Sequence, residues 1–414
     1  MNQARPLTRR GIPVDRDLRV LAAGQFANRF GGGAVMVTSA LYFTRHAGFS
    51  AAEVAMALSA AGIVGLLVQL PAGQLGDSRG PKQVLCWAMA GAAFFSFWPV
   101  LAPNPVVLAI LLCVLAFFER GANAVRMGLI AQLTHGPRGV LFKAYLRAVT
   151  NTALGLGSVF GGLALVIDEA WAYIAVFALN AVFTAVAALL NTRLPHIEPT
   201  PHVKGEPRLA VIRDLPYVVM VVLTSLFSLH FLVMDLGLAL YISHHTDAPT
   251  VMVSVILILN TAAVAIFQVR LSRGSDSVAA SARQLVVGAS FVAAGFVVIA
   301  FADRGSTALA VTLLLVGAGV HVVGEMIGSG GTWGLQMGLA PREKQGQYQG
   351  FAGLGWSGLE IIGPPVIAFF CVEQGERGWL MLAVGIMVVS LLCIPVARWA
   401  LASRERYGVL THSG

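Results

Sequence analysis

The sequence predicts an all-α membrane protein in which twelve transmembrane helices form two pseudo-symmetric six-helix bundles. Three observations lead there: scarce charge, long apolar runs at regular spacing, and an alternation of Lys and Arg between successive loops. Of 414 residues, 57% are hydrophobic and 12% charged, with a mean hydropathy of +0.76. Soluble domains carry about 25% charged residues. Half that supply cannot cover a wet surface, whereas a bilayer core accepts apolar side chains all round a helix.

Each span needs about 20 apolar residues. Six runs fall at Leu18–Phe43, Ala52–Ala72, Val84–Leu101, Val106–Leu133, Leu146–Ile167 and Trp171–Leu190. The first is too long for a signal-peptide core and has no small-residue cleavage site, so it is expected to stay as a helix. A polar stretch with Pro195, Pro199, Pro201 and Pro207 then separates six further runs. These are Leu215–Ile242, Val251–Val269, Leu285–Phe301, Leu309–Leu339, Tyr348–Val372 and Trp379–Leu401. The expected organisation is one bundle over 1–192, a cytoplasmic linker over 193–213 and a second bundle over 214–414.

The formal charge is +8, and 24 of the 28 basic residues are Arg. With the N-terminus inside, the inner segments hold 22 of them, among them Arg5, Arg9, Arg10, Arg79, Lys82, Lys204, Arg208, Arg342, Lys344 and Arg406. The outer loops hold only Arg45, Arg304 and Arg377, and Arg29, Arg120 and Arg126 lie inside apolar runs. This is the positive-inside pattern, which places both termini in the cytoplasm. It also checks the helix count, because one missed span would invert the alternation downstream. The basic excess therefore reads as membrane orientation and not as nucleic-acid binding.

Several chemistries are excluded by what the chain lacks. No G-x-x-x-x-G-K-[ST] loop offers a nucleotide site, and no Ser-His-Asp constellation supports an enzyme. Cys86, Cys113, Cys371 and Cys393 sit in apolar runs without ligand spacing, and the nine histidines form no H-E-x-x-H set. His244-His245 reads as a solvated pair. No metal or cofactor is expected.

The halves show internal likeness. Ser78-Arg79-Gly80 after the second run recurs as Ser272-Arg273-Gly274 after the eighth. Tyr145, Gly155 and Gly161-Gly162 align without gaps to Tyr348, Gly358 and Pro364-Pro365. Such repeats are usual in secondary transporters.

The loop after the second run reads Gly73-Gln74-Leu75-Gly76-Asp77-Ser78-Arg79-Gly80-Pro81-Lys82. It resembles the signature loop of the major facilitator superfamily at Gly73, Asp77, Gly80 and Lys82, with Arg79 one place after the usual basic position. Gly73 permits close helix approach, Gly80 a tight turn, and Asp77 a pairing with an Arg or a helix N-terminus. The resemblance implies the major facilitator fold and a conformational latch made by Gly73, Asp77, Arg79, Gly80 and Lys82. In the fifth run, Gly157, Gly161 and Gly162 resemble a glycine element of the family's antiporter branches, with Ser158 where Pro is usual. A packing surface is the generic alternative. Glu119 to Gly162 is similar to bacterial drug-efflux members.

Charges inside apolar runs need reasons, because each costs several kcal/mol at mid-membrane. Asn28 and Arg29 lie in the first run, and Glu119, Arg120, Asn123 and Arg126 in the fourth. Asp235 and His230 lie in the seventh, His321 and Glu325 in the tenth, and Glu360 in the eleventh. His321 and Glu325 are four apart and share a helix face. The resemblance implies that helices 1, 4, 7 and 10 line a cavity, which makes these residues the candidate substrate or proton pathway, Glu360 ranking lower. Glu119 either neutralises an Arg or carries a proton. Phe26, Phe30, Phe227, Phe231 and Trp333 either line an apolar binding surface or pack.

The expectation is a transporter that exports an amphipathic small molecule, a drug or secondary metabolite, in exchange for protons by alternating access. The alternative is a proton-coupled importer of a polar or anionic metabolite drawn by Arg29, Arg120 and Arg126. The expected partners are the substrate, protons and the lipid of the inner (plasma) membrane, with the chain as a monomer.

Overall fold

The computed structural model describes residues 12–134, 137–199 and 209–404. The inner-side cations Arg5, Arg9, Arg10, Lys204, Arg208 and Arg406 lie outside the described residues, as do Pro201 and Pro207. Among the described residues there are twelve long helices and no β-strand.

Local chemistry sets most helix ends. Helix α1 (Arg16–Leu41) starts where Asp15 accepts the Asp17 N–H, and it runs on into a π turn at Tyr42–His46. Helix α2 (Ala51–Arg79) starts in a reciprocal Ser50–Glu53 capping box. It ends at Gly80, whose φ of +95° suits only glycine, and Pro81 opens α3 (Pro81–Phe95) at its first turn. Helices α4 (Pro105–Leu133), α5 (Pro137–Ile167) and α6 (Ala170–Asn191) complete the first half.

In the second half, α7 (Leu215–Leu232) begins under an Asp214 cap and passes through a π turn at Val233–Gly237 into Leu238–His245. Helices α8 (Val251–Leu271), α9 (Val278–Ala300) and α10 (Thr307–Leu339) follow, with Ser277 and Ser306 capping the last two. Helix α11 (Gln345–Ile367) ends in a π turn at Ala368–Glu373, and α12 (Glu376–Ala402) closes the described chain. Eleven of these helices are long and apolar enough to cross a membrane. The exception is α1, where Gln25, Asn28 and Arg29 interrupt the middle and lower its hydropathy.

The chain divides into two compact units that follow its halves apart from an exchange of two segments. The first comprises Met1–Leu133, Leu146–Leu209 and Arg342–Leu354; the second comprises Thr134–Tyr145, Ala210–Pro341 and Gly355–Gly414. In the first unit, Tyr42, Phe43, Tyr173 and Phe177 form an aromatic core, and the Tyr42 hydroxyl donates to the Val100 carbonyl at 2.9 Å. In the second, Tyr241, Phe296 and Trp379 pack together, and the Tyr241 hydroxyl donates to the Ala300 carbonyl at 2.8 Å. Loop ion pairs join Arg45 to Asp168 at 3.3 Å in the first unit and Arg304 to Glu376 in the second.

Helix packing within each unit relies on glycine, since lipid supplies no hydrophobic drive between helices. A Cβ at Gly33 would strike the Leu154 carbonyl, and one at Gly157 would strike the Phe30 carbonyl, so α1 and α5 touch backbone to backbone. In the second unit, Gly288 of α9 meets Gly324 and Gly328 of α10 in the same way. Gly161 faces Ala34 and Val37, whereas a Cβ at Gly162 would enter open space.

Replacing Gly157 by Val is expected to destabilise the protein by about 1–3 kcal/mol through overpacking, read as a lower melting temperature in detergent. The same change at Gly162 should leave melting almost unmoved. A second expectation concerns the loop before α6. The Tyr173 hydroxyl first, then His46 and Arg45, hold the Asp168 carboxyl below the usual carboxylate range. A depressed value means that the ionised form is the stabilised one, so its contribution is present above about pH 4 and is lost as pH falls further. Asp168→Asn should therefore lower melting at neutral pH, and the difference from the parent chain should close in acid.

Candidate functional site

The α2–α3 loop places Asp77 at the end of α2, buried to 8% exposure. One of its carboxylate oxygens accepts the Gly346 N–H at 2.9 Å and the other the Gln347 N–H at 2.8 Å. These are orphan donors of the first turn of α11, whose segment 342–354 belongs to the same unit. The positive end of the α11 dipole favours the carboxylate, and hydrogen bonds to a charged acceptor are the strong kind. The Gln132 amide of α4 donates a third, at 3.1 Å. Gly73 and Gly128 let the backbone of Gly346 approach, since a Cβ at either would collide with it. Of the two partners open to Asp77 by sequence, the helix N-terminus is the one it takes. Arg79 is exposed.

A second cluster joins α1, α4 and α5 in the first unit. Arg126 is 3% exposed; its guanidinium donates to the Gln25 side-chain oxygen at 2.9 Å and approaches the Met89 sulfur at 3.1 Å. The Gln25 amide then donates to the Thr150 hydroxyl at 2.9 Å. Glu119 stands within electrostatic reach of Arg29, Arg120 and Arg126, one carboxylate against three cations. Glu119 is itself exposed at the surface of the unit, while Arg29 and Arg120 are half-buried. The Arg29 Nε is buried and has no hydrogen-bond partner. Gly65 of α2 makes room for the Arg120 stem.

The second unit holds the other polar set. His230 of α7 and His321 and Glu325 of α10 are all buried. The His230 Nδ1 lies 3.1 Å from the His321 Nε2, and the His321 Nδ1 lies 3.7 Å from a Glu325 oxygen. That oxygen accepts the Asn260 amide of α8 at 2.9 Å. Phe296 stacks on the His321 ring at 5.6 Å, and Phe227 and Phe231 flank the ring of His230.

Residues 21–364 match the family model described as Major Facilitator Superfamily. The chain belongs to that superfamily. It is 28% identical to the tetracycline resistance protein, class G, of Vibrio anguillarum over 346 residues, or 79% of this chain and 82% of that one. Two of the many solved structures that share the fold illustrate it. One is a bacterial homologue of the iron transporter ferroportin in the outward-facing state, with a TM-score of 0.67 and 17% identity. It aligns with 94% of this chain and all of that one. The other is the human organic anion transporter MFSD10 (TETRAN), with a TM-score of 0.64 and 12% identity over 91% of this chain and 99% of that one. Members of this superfamily are transporters and not enzymes, and this major facilitator is a multi-pass membrane protein.

The fold gathers some of the sequence-predicted residues of this facilitator and scatters others. Arg29, Arg120 and Arg126 come within electrostatic reach of Glu119, and His321 meets Glu325 across one helical turn as their spacing predicts. Asn28 and Asn123 are half-buried on the same two helices as the arginines. Asp235 is exposed in the π turn of α7, and Glu360 accepts the Trp356 indole N–H one turn away at 2.8 Å. Gly157 and Gly161 pack against α1, as their generic reading requires. Phe227 is fully buried against His230, so it packs. Spacing along the chain shows no ligand set among the histidines, but folding brings His230, 91 residues away, against His321. Gln25, Gln132, Thr150 and Asn260 join these clusters too; their only sequence signal is polarity inside an apolar run.

Arg126→Met should leave the Gln25 oxygen buried without its donor, a loss of about 1–3 kcal/mol. The check is a lower melting temperature in detergent that Arg126→Lys restores in part.

Proposed function

We propose that this facilitator exports an amphipathic small molecule, a drug or secondary metabolite, in exchange for protons. The observation that carries the reading is the Glu119 carboxylate set among Arg29, Arg120 and Arg126 within membrane-spanning helices. A carboxylate in the field of three guanidinium groups can gain or lose a proton, and either event changes the charge of the whole cluster. That is the coupling element an exchanger needs. The likeness to a tetracycline resistance protein along most of both chains favours the outward direction for the substrate.

The bundles over 1–192 and 214–414, joined by the cytoplasmic linker 193–213, alternate access across the inner membrane, with both termini cytoplasmic and the chain working as a monomer. Gly73, Asp77, Arg79, Gly80 and Lys82 form the latch region. Its working contact is Asp77 on the N-terminus of α11, which one conformation makes and the other breaks. The glycines Gly157, Gly161 and Gly162 supply the bendable surface of α5.

A second reading rests on the surplus of cations in the same cluster. Three arginines against one carboxylate, with the Arg29 Nε lacking an acceptor, suit an organic anion and hence uptake.

The experiment uses inside-out vesicles with an acidic interior reported by a pH-quenched dye. Tetracycline and cationic, neutral and anionic amphiphiles are added outside. Proton release on addition of a compound is expected. It should vanish in Glu119→Gln and fall about tenfold in Asp77→Asn, the loss of one charge-assisted contact. Silence across the panel, together with uptake of labelled organic anions by right-side-out vesicles, would sink the export reading and install the importer.

A further inference from the structure

The cluster in the second unit is not used by the coupling element above, and its chemistry is different. His230, His321 and Glu325 each offer one ligand atom, and these atoms all lie within 4.8 Å of one another. The donor set is two imidazoles and a carboxylate, which suits zinc, iron, cobalt and nickel and not the oxygen-seeking magnesium or calcium. Two nitrogens bound to one tetrahedral ion at about 2.1 Å stand roughly 3.4 Å apart. The His230 Nδ1 and His321 Nε2 are separated by 3.1 Å, already close to that edge. A Glu325 oxygen lies within 4.8 Å of a nitrogen of each histidine and offers the third corner.

The surroundings are those of a built site. Both imidazoles are 0% exposed and Glu325 is 3% exposed, which removes competing water. Asn260 holds the Glu325 carboxylate from α8, and Phe296 and Phe231 fix the planes of the two rings. Outer contacts of this kind orient ligands and raise affinity. Gly295 allows α9 to close against His321, where a Cβ would meet the His321 Cβ at 2.9 Å. The ligands come from α7 and α10, so an ion would tie the two helices together inside the unit.

We propose that His230, His321 and Glu325 form a site for one divalent transition-metal ion of the zinc class, with a fourth coordination position left to water or to an oxygen of a bound molecule. The site stands apart from the proton-exchange reading, and either can fail without the other.

The test titrates purified, chelator-treated full-length protein in detergent with Co2+ at neutral pH and follows visible d–d absorption. Saturation at one Co2+ per chain is expected, with Zn2+ bleaching the signal and Mg2+ and Ca2+ leaving it unchanged. His321→Gln and Glu325→Gln should each weaken binding at least about tenfold, while His244→Ala, at the exposed end of α7, should not. Zinc-edge X-ray absorption of the unmutated protein should count two imidazoles, and this readout holds even if a variant fails to fold. Absence of a saturable Co2+ signal, a zinc shell without imidazole, or full binding by His321→Gln would overturn the proposal. Proton release measured in metal-free buffer reports separately on exchange.

Discussion

The structure depends on the absence of water in the hydrocarbon layer. A backbone N–H or C=O left unpaired there costs several kcal/mol, so each crossing is made by a helix that pairs its own backbone. The same constraint acts on side chains. Arg126, Gln25 and Thr150 form a chain in which each polar group meets the next, and Glu325 has Asn260 and His321 beside it. Helix contact then has no hydrophobic drive to use, and close approach replaces it: α1 on α5 and α9 on α10 meet at glycines where the backbones touch.

That constraint also explains why the fold was so legible in the sequence. A span announces itself by length and apolarity, and eleven of the twelve helices do so by composition alone. The caps were present as residues: Ser50 with Glu53 before α2, Ser277 before α9, Ser306 before α10, and the Gly80-Pro81 junction. The π turns that end or interrupt α1, α7 and α11 carry no comparable signal, because Tyr42–His46, Val233–Gly237 and Ala368–Glu373 differ in composition. Nor does the reciprocal exchange of 134–145 and 342–354 between the compact units, which follows from packing across the chain.

The candidate site was legible in part. His321 and Glu325 lie on one helix, so their spacing already placed them together. Arg29 and Glu119 could be suspected from the cost of charge in a span, but their interaction joins residues on α1 and α4 that no spacing along the chain relates. His230 could be read only as a lone histidine of α7, since a contact spanning 91 residues leaves no periodic trace. Asp77 was the clearest motif residue, yet its two α11 partners are backbone groups, which carry no residue identity to read.

That last point bears on how the α2–α3 loop can change over time. Asp77 is a side chain, but what it binds at residues 346 and 347 is main chain. Substitution on the α11 side leaves both donors in place unless proline removes an N–H, and at 346 any side chain would also press on Gly73 and Asp77. Genetic variation can therefore adjust this contact almost only from one side. Compensation for a lost Asp77 should arise at Gln132 or elsewhere on α4, whose amide already shares the same carboxylate.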